Sequence, residues 1–297
     1  MTATDHVALA ACAAYPEIDD DAALLIAALS GRGVESVPAV WTDETVRWDR
    51  YDAVVVRGTW DYPRQRARFL AWAKEVGQAS LLLNAAEVLG WNTDKTYLRE
   101  LTAAGLPVVE THWLQPGDEV VLPEHGEYVV KPAVSAGSKD TARYAADRHA
   151  AKARAHAQDL LDRGRTLMVQ PYLAEVDTYG ETALLYFGGR FSHAIRKGPL
   201  LTAGMDLVEG TYAEETIDPR QPAPSERDLA ERVLDALPWP RESLAYARVD
   251  LVPDSAGRPL LLELELAEPS MFLEHDAGAA DRFAEVVATR LKAVRDG

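Results

Sequence analysis

Two stretches near the C-terminus, Tyr246-Ala-Arg-Val-Asp-Leu-Val252 and Leu260-Leu-Leu-Glu-Leu-Glu-Leu266, decide how this chain is read. Both alternate with period two, the mark of a strand. Arg248 and Asp250 share one face of the first, and Glu263 and Glu265 share one face of the second. Between them Pro253-Asp-Ser-Ala-Gly-Arg258 reads as a turn. With Ala256-Gly257 as a two-residue hairpin loop, Asp250 falls opposite Glu263 and Arg248 opposite Glu265. Asp250, Glu263 and Glu265 then crowd one face of an otherwise apolar hairpin, and like charges set opposite one another are destabilising. A bound cation would relieve them. Oxygen ligands with open positions suit Mg²⁺, which takes few protein carboxylates and leaves its other positions to water and phosphate. A solvated charged face on an edge hairpin is the competing reading.

Upstream, Tyr128-Val-Val-Lys-Pro132 is a strand closed by proline, and a small-residue loop follows over 133–141. Backbone N–H groups in such a loop, here around Ser135, Gly137 and Ser138, can close on phosphate oxygens. The spacing is not that of a P-loop. Lys131 ends an apolar strand, where an ammonium is costly unless it meets an anion. Lys95, at the start of an expected helix over 92–105, reads alone as a surface lysine. The strand over 166–172 ends in a bend whose backbone, with Gln170, Tyr172 and Leu173, could read an adenine edge. Asp177 is the candidate for sugar hydroxyls. His193, Arg196 and Lys197 lie together in sequence, and the two cations could hold a phosphoryl group or a substrate carboxylate; simple ion pairing reads equally well. No Gly-x-Ser-x-Gly and no zinc spacing of the seven histidines is present.

The first ninety residues are of another kind. Short apolar runs at 7–12, 34–40, 51–56 and 81–84 alternate with helical patterns at 22–29 and 66–76. Continuous apolar strands alternating with helices imply a parallel sheet covered on both faces, a Rossmann-like unit. The glycine fingerprint of a dinucleotide site is missing after its first strand. Arg57-Gly-Thr-Trp-Asp61 follows the third strand, and ligands bind beyond the carboxyl ends of parallel strands. Arg57 could therefore hold a carboxylate and Asp61 an ammonium; an ion pair that orders the loop is the alternative. Further on, strands are expected over 181–187 and 190–195, a loop over 219–225 and helices over 147–161, 226–237 and 279–294. The fold class is thus α/β, then α+β.

The chain has 297 residues, about two domains' worth at roughly 150 each. Its 47 Asp+Glu against 31 Lys+Arg leave a net charge of −16, which argues against sequence-independent nucleic-acid binding. One cysteine allows no internal disulfide. No apolar run reaches the ~20 residues of a membrane span, and Met1-Thr-Ala-Thr-Asp-His6 lacks the positive region of a secretion signal. A cytoplasmic protein with no membrane partner is the expectation.

In order, Lys95, Val130-Lys131-Pro132 with its loop, Gln170-Pro-Tyr-Leu173 with Asp177, Arg248-x-Asp250 and Glu263-x-Glu265 resemble the ATP-grasp superfamily over residues 91–297. The resemblance implies a Rossmann-like preceding domain at 1–90, a small lid subdomain at 91–172 and a large subdomain with the metal site at 173–297. It implies that Lys95, Lys131, Ser135, Gly137 and Ser138 hold ATP phosphates, that Gln170, Tyr172 and Leu173 read adenine, and that Asp177 meets the ribose. It further implies Asp250, Glu263 and Glu265 as ligands of Mg²⁺ (or Mn²⁺), and Arg248 as the arginine that stabilises the transferring phosphoryl group, beside which Lys197 and Arg196 are the further candidate catalytic cations. Glu265 stands where the superfamily often has Asn, which adds a negative charge. The tail Glu263-Leu-Glu-Leu-Ala-Glu268-Pro-Ser270, with Arg57 and Asp61, resembles cyclo-ligases of that superfamily that close O-ureido-D-serine to D-cycloserine. Glu268 and Ser270 then join Arg57 and Asp61 as substrate residues. A small amino-acid-like substrate and a homodimer are the implied partners. An intermolecular carboxylate–amine ligase, a nucleotide-binding module without catalysis and a small-molecule kinase are the competing functions.

Overall fold

The computed structural model describes residues 4–201 and 216–296; residues 1–3, read above for a secretion signal, lie outside it. Strands β1 (Asp5–Ala11), β2 (Val34–Val40), β3 (Ala53–Gly58) and β4 (Leu81–Leu83) form a parallel sheet in the order β2-β1-β3-β4. Helix α1 (Asp20–Ser30) begins where the Asp19 side chain accepts the Ala22 N–H, and α2 (Arg66–Ala79) covers the other face. Both faces of β1 and β3 are buried, as continuous apolar strands require.

A separate short helix, α3 (Ala86–Asn92), ends where the helix expected over 92–105 was to begin, and of that expected helix only α4 (Tyr97–Ala103) forms. The break has a cause: the Lys95 N–H donates to Ala133 O at 2.9 Å instead of continuing a helical ladder. Beyond it, β5 (His112–Leu114), β6 (Glu127–Pro132), β7 (Ala142–Ala145) and β8 (Leu167–Pro171) make an antiparallel sheet ordered β5-β8-β6-β7, backed by α5 (Ala146–Asp162). The short β5 and β7 carry no alternation that marks them in sequence.

After α6 (Val176–Tyr179) comes a third sheet of β9 (Glu181–Phe187), β10 (Arg190–Lys197), β11 (Ile217–Arg220), β12 (Tyr246–Pro253) and β13 (Pro259–Glu265), ordered β11-β10-β9-β12-β13. Pro219, expected in a loop, sits in β11 opposite Ile195; an edge strand tolerates a residue without an N–H. Helix α7 (Pro224–Asp235) packs on this sheet, and α8 (Ala279–Asp296) returns to cover the first sheet beside α1. Val88, Tyr97, Leu98 and Leu101 share a core with Leu184, Val249 and Leu264. The segment from 91 onward, assigned above to the lid, therefore begins on the third sheet. Among the described residues no helix is long and apolar enough to cross a membrane.

The β12–β13 hairpin has the expected register at its functional end, with Arg248 opposite Glu265 and Asp250 opposite Glu263. It arrives there differently. Asp254 and Arg258 pair, so the loop has three residues, with Gly257 at φ +73°. A bulge between Asp250 and Leu251 then inserts Leu262, and the two offsets cancel. The bulge also turns Leu262 and Glu263 to one side together, while Leu261 and Leu264 stay in the core.

Three side chains fasten this hairpin. Asn92 donates to Leu264 O and accepts from Leu266 N–H at 2.8 and 2.7 Å, and the Tyr97 hydroxyl bonds both backbone groups of Leu264. Asn84, at the end of the first sheet, donates to Tyr246 O and Leu266 O and accepts from Ala245 N–H. Asn84→Ala leaves three buried backbone groups without partners. A loss of about 3–9 kcal/mol is expected, at about 1–3 kcal/mol for each unsatisfied group, read from the urea midpoint.

Candidate active site

The second and third sheets face one another across a cavity of about 520 Å³, lined also by the loop after β6 and by residues of the first sheet's loops. One end is apolar: Val109, Val176, Val252, Leu173 and Leu262 form a slot beside Tyr172. Leu262 reaches it because of the β13 bulge. The other end holds ionised groups. Its cations are Lys95, Lys131, Lys197 and Arg248; its acids are Glu181, Asp250, Glu263, Glu265 and Glu268.

Most of these groups are already matched. Arg248 grips Asp250 through Nε and Nη2 at 2.8 and 2.9 Å, and its Nη2 also donates to Glu265. Lys197 Nζ lies 2.8 Å from Asp250 and 2.9 Å from Glu181. Lys95 Nζ lies 3.1 Å from Glu263 and donates to Ser135 O at 2.9 Å. Burial alone would raise the Asp250 carboxyl, but Arg248 and Lys197 hold it down at about 2. Glu263 is likewise held low, against burial, by Lys95 and Lys131. Glu265 goes the other way: burial, opposed by Arg248 and reinforced by Glu263 and Asp250, pushes it up to about 7.

Two groups stand apart. Lys131 is buried and makes no hydrogen bond or ion pair among the described residues, and burial pulls its ammonium below the usual range. Glu268 is buried, its carboxylate is likewise unpaired among the described residues, and burial with the neighbouring Glu265 drives it well above the usual carboxyl range.

The expected metal centre differs in one respect. Asp250, Glu263 and Glu265 do line the cavity, and their oxygens suit Mg²⁺. Yet among the described residues no three acidic, His or Cys side chains converge on one point. Arg248, Lys197 and Lys95 occupy the carboxylate oxygens and relieve the repulsion that a metal was expected to relieve. The donor set fits the ion chemically, and those cations would have to turn aside to admit it.

Of the residues singled out in sequence, Lys95, Lys131, Ser135, Gly137, Ser138, Gln170, Tyr172, Leu173, Lys197, Arg248, Asp250, Glu263, Glu265, Glu268 and Ser270 line the cavity. Arg57, Asp61, Asp177 and Arg196 do not. Arg57 has a fully buried side chain that donates to Pro269 O at 2.7 Å and lies 3.5 and 3.7 Å from Asp19 and Asp21; it is the loop-ordering ion pair. Asp61 accepts from Trp41 Nε1 at 2.7 Å. Asp177 is half exposed, taken by the Tyr172 hydroxyl and Arg143. Arg196 points away from Lys197, as strand alternation demands, and donates to Tyr179 O and Thr178 O. The adenine hinge also needs correction in detail. Tyr172 N–H already donates to Glu127 O and the Gln170 amide to Thr111, whereas Leu173 N–H has no acceptor among the described residues.

Sequence reasoning missed Trp60, Tyr62, Glu181 and Phe272 in the lining. Gly180 precedes Glu181 at φ +78°, and a Cβ there would fall 2.5 Å from Lys197 O, which requires glycine. The others come from loops whose positions no local pattern encodes.

Residues 7–84 match the family model described as the N-terminal domain of D-cycloserine synthetase DcsG. The cycloserine biosynthesis protein DcsG of Streptomyces lavendulae is 36% identical over 290 residues, 93% of this chain and 95% of that protein. The chain belongs to the D-cycloserine synthetase family. The crystal structure of D-cycloserine synthetase DcsG superposes with a TM-score of 0.86 at 36% identity, over 96% of this chain and 99% of that one. The family's fold is the ATP-grasp fold. An ATP-grasp RimK-domain protein of Sphaerobacter thermophilus matches at TM-score 0.68 and 20% identity, over 95% and 99% of the two chains. D-alanine–D-alanine ligase of Bacillus anthracis, complexed with ATP, matches at 0.67 and 13%, over 98% and 99%.

Arg57→Ala would leave Asp19 and Asp21 facing a hole, so it is expected to cost about 3–5 kcal/mol in denaturant unfolding. An unchanged midpoint with a raised substrate KM would instead return Arg57 to the substrate. If Glu265 joins a metal site, its proton must leave. Calorimetry in buffers of differing ionisation enthalpy should then show Mg²⁺ uptake with nucleotide releasing about one proton below about pH 7, with affinity falling about tenfold per pH unit there.

Proposed function

We propose that this ATP-grasp ligase phosphorylates the carboxylate of O-ureido-D-serine and closes the molecule to D-cycloserine, releasing ADP and phosphate. The observation that carries the reading is the unpaired Lys131 ammonium, buried between an apolar slot and a cluster of carboxylates. Such a cation awaits an anion. An adenine in the slot, with Leu173 N–H at its edge, directs a phosphate chain toward Lys131, Lys95 and the backbone of 135–138.

Each remaining residue then has a task. Asp250, Glu263 and Glu265 would hold Mg²⁺, which when bound neutralises charge on the phosphates. Arg248, oriented by its two contacts to Asp250, faces the oxygens of the transferring phosphoryl group. The substrate carboxylate attacks the γ-phosphorus and ADP leaves. The oxygen-bound ureido nitrogen of the same molecule then attacks the acyl carbon, gives up its proton and expels phosphate as the ring closes; water then cleaves the bond between that nitrogen and the carbamoyl carbon, and the carbamoyl group leaves as carbon dioxide and ammonia. An internal nucleophile needs no second substrate and gains from proximity. Trp60, Tyr62 and the 133–141 loop wall the cavity and keep water from the acyl phosphate.

Incubation with ATP, Mg²⁺ and O-ureido-D-serine should give ADP together with a product of the mass of cycloserine. An amide formed with another amine would keep the ligase chemistry and discard the substrate; a phosphorylated product would indicate a kinase. Glu263→Gln should remove ADP formation and leave the circular dichroism spectrum unchanged. Normal turnover in that variant would sink the metal assignment.

A further inference from the structure

We infer that Glu268 seats the α-ammonium group of the substrate, at the end of the cavity opposite the adenine slot. This rests on the cyclisation reading above and adds the orientation of the amino acid. Among the described residues Glu268 is the one cavity carboxylate in no ion pair, with Lys95 and Arg248 acting on it only from farther off: Asp250 pairs with Arg248 and Lys197, Glu263 with Lys95, Glu265 with Arg248 and Glu181 with Lys197. It is 8% exposed and lines the cavity. A desolvated carboxylate needs either a proton or a cationic ligand. Burial and the neighbouring Glu265 both raise this carboxyl above its ordinary range. An amino acid supplies the cation. Trp60, whose Nε1 donates to Glu268 O, and Phe272, whose ring lies 5.6 Å from the Arg248 guanidinium, line the same cavity.

The backbone that carries Glu268 is held from several directions. Trp60 Nε1 donates to Glu268 O at 3.3 Å, Arg57 to Pro269 O at 2.7 Å and Arg248 to Ser270 O at 3.2 Å. Asp21 accepts from Met271 and Leu273 N–H, and His193 Nε2 lies 2.9 Å from Met271 O. Phe272 is kept at φ +49°, a conformation that non-glycine residues adopt only when their surroundings impose it. Glu268 is thus a preset post, and the acidic post sends the substrate carboxylate the other way, to the cations that face the phosphates.

The test compares O-ureido-D-serine with its deamino analogue, 3-(ureidooxy)propanoic acid, on wild type and Glu268→Gln. Wild type should favour the amino compound by about 100-fold, mainly in KM, the order expected for one buried charge pair. Glu268→Gln should reduce the preference to a few-fold while still binding nucleotide. A variant that keeps the wild-type preference overturns the inference and leaves the cyclisation reading intact. Wild type that turns over neither compound overturns the cyclisation reading instead. Calorimetry on wild type decides the matter should the variant not fold. The amino compound should expel a proton on binding to the nucleotide complex and the analogue should not; equal release by both would overturn the seat.

Discussion

Charge buried on one hairpin is the constraint on which the rest of this structure depends. Four carboxylates, Asp250, Glu263, Glu265 and Glu268, lie within one stretch of the third sheet and its exit. Desolvated like charges are tolerated only with matching cations or protons. Each cation comes from a different place: Arg248 from the same strand, Lys197 from β10, Lys95 from the break between α3 and α4, and Lys131 from the end of β6. The layers of the fold thus meet at the site because the site's charges are shared among them.

Holding such a hairpin requires that its backbone be satisfied on its outer side. β13 ends its sheet, and an open edge next to a polar cavity would be a liability. Asn92 and Tyr97 close that edge with side chains, and Leu261 exchanges backbone bonds with Pro107 and Val109. At the other end the Tyr246 hydroxyl lies within 3.0 Å of the carbonyls of Val56, Leu83 and Ala267, joining the first sheet to the third. The N-terminal sheet therefore acts on chemistry at a distance. Asp21, Arg57 and Trp60 set the turn that presents Glu268, Ser270 and Phe272 to the cavity, without all of them touching what enters it.

How much of this was legible in sequence differs by element. Strict period-two alternation marked β12 and β13, and with them Arg248, Asp250, Glu263 and Glu265, because a strand's faces are set by local geometry alone. The Lys131 strand and its small-residue loop were legible for the same reason. Arg57, Asp61, Asp177 and Arg196 were misplaced, since a charged side chain reads the same whether it faces a ligand, a neighbouring loop or a carbonyl. The register of the hairpin was anticipated through a two-residue loop, whereas a three-residue loop and a bulge produce it.

What the sequence by itself determined was the longer strands and helices, the faces their side chains share and the ordered motifs of the superfamily. These depend on neighbours a few residues apart. Only the tertiary structure decided which cation answers which carboxylate, that Lys131 and Glu268 make no close ion pair among the described residues, and that Arg57 orders a turn. Those outcomes rest on contacts between residues as much as 252 positions apart, as with Asp21 and Leu273. No periodicity in a single chain records them.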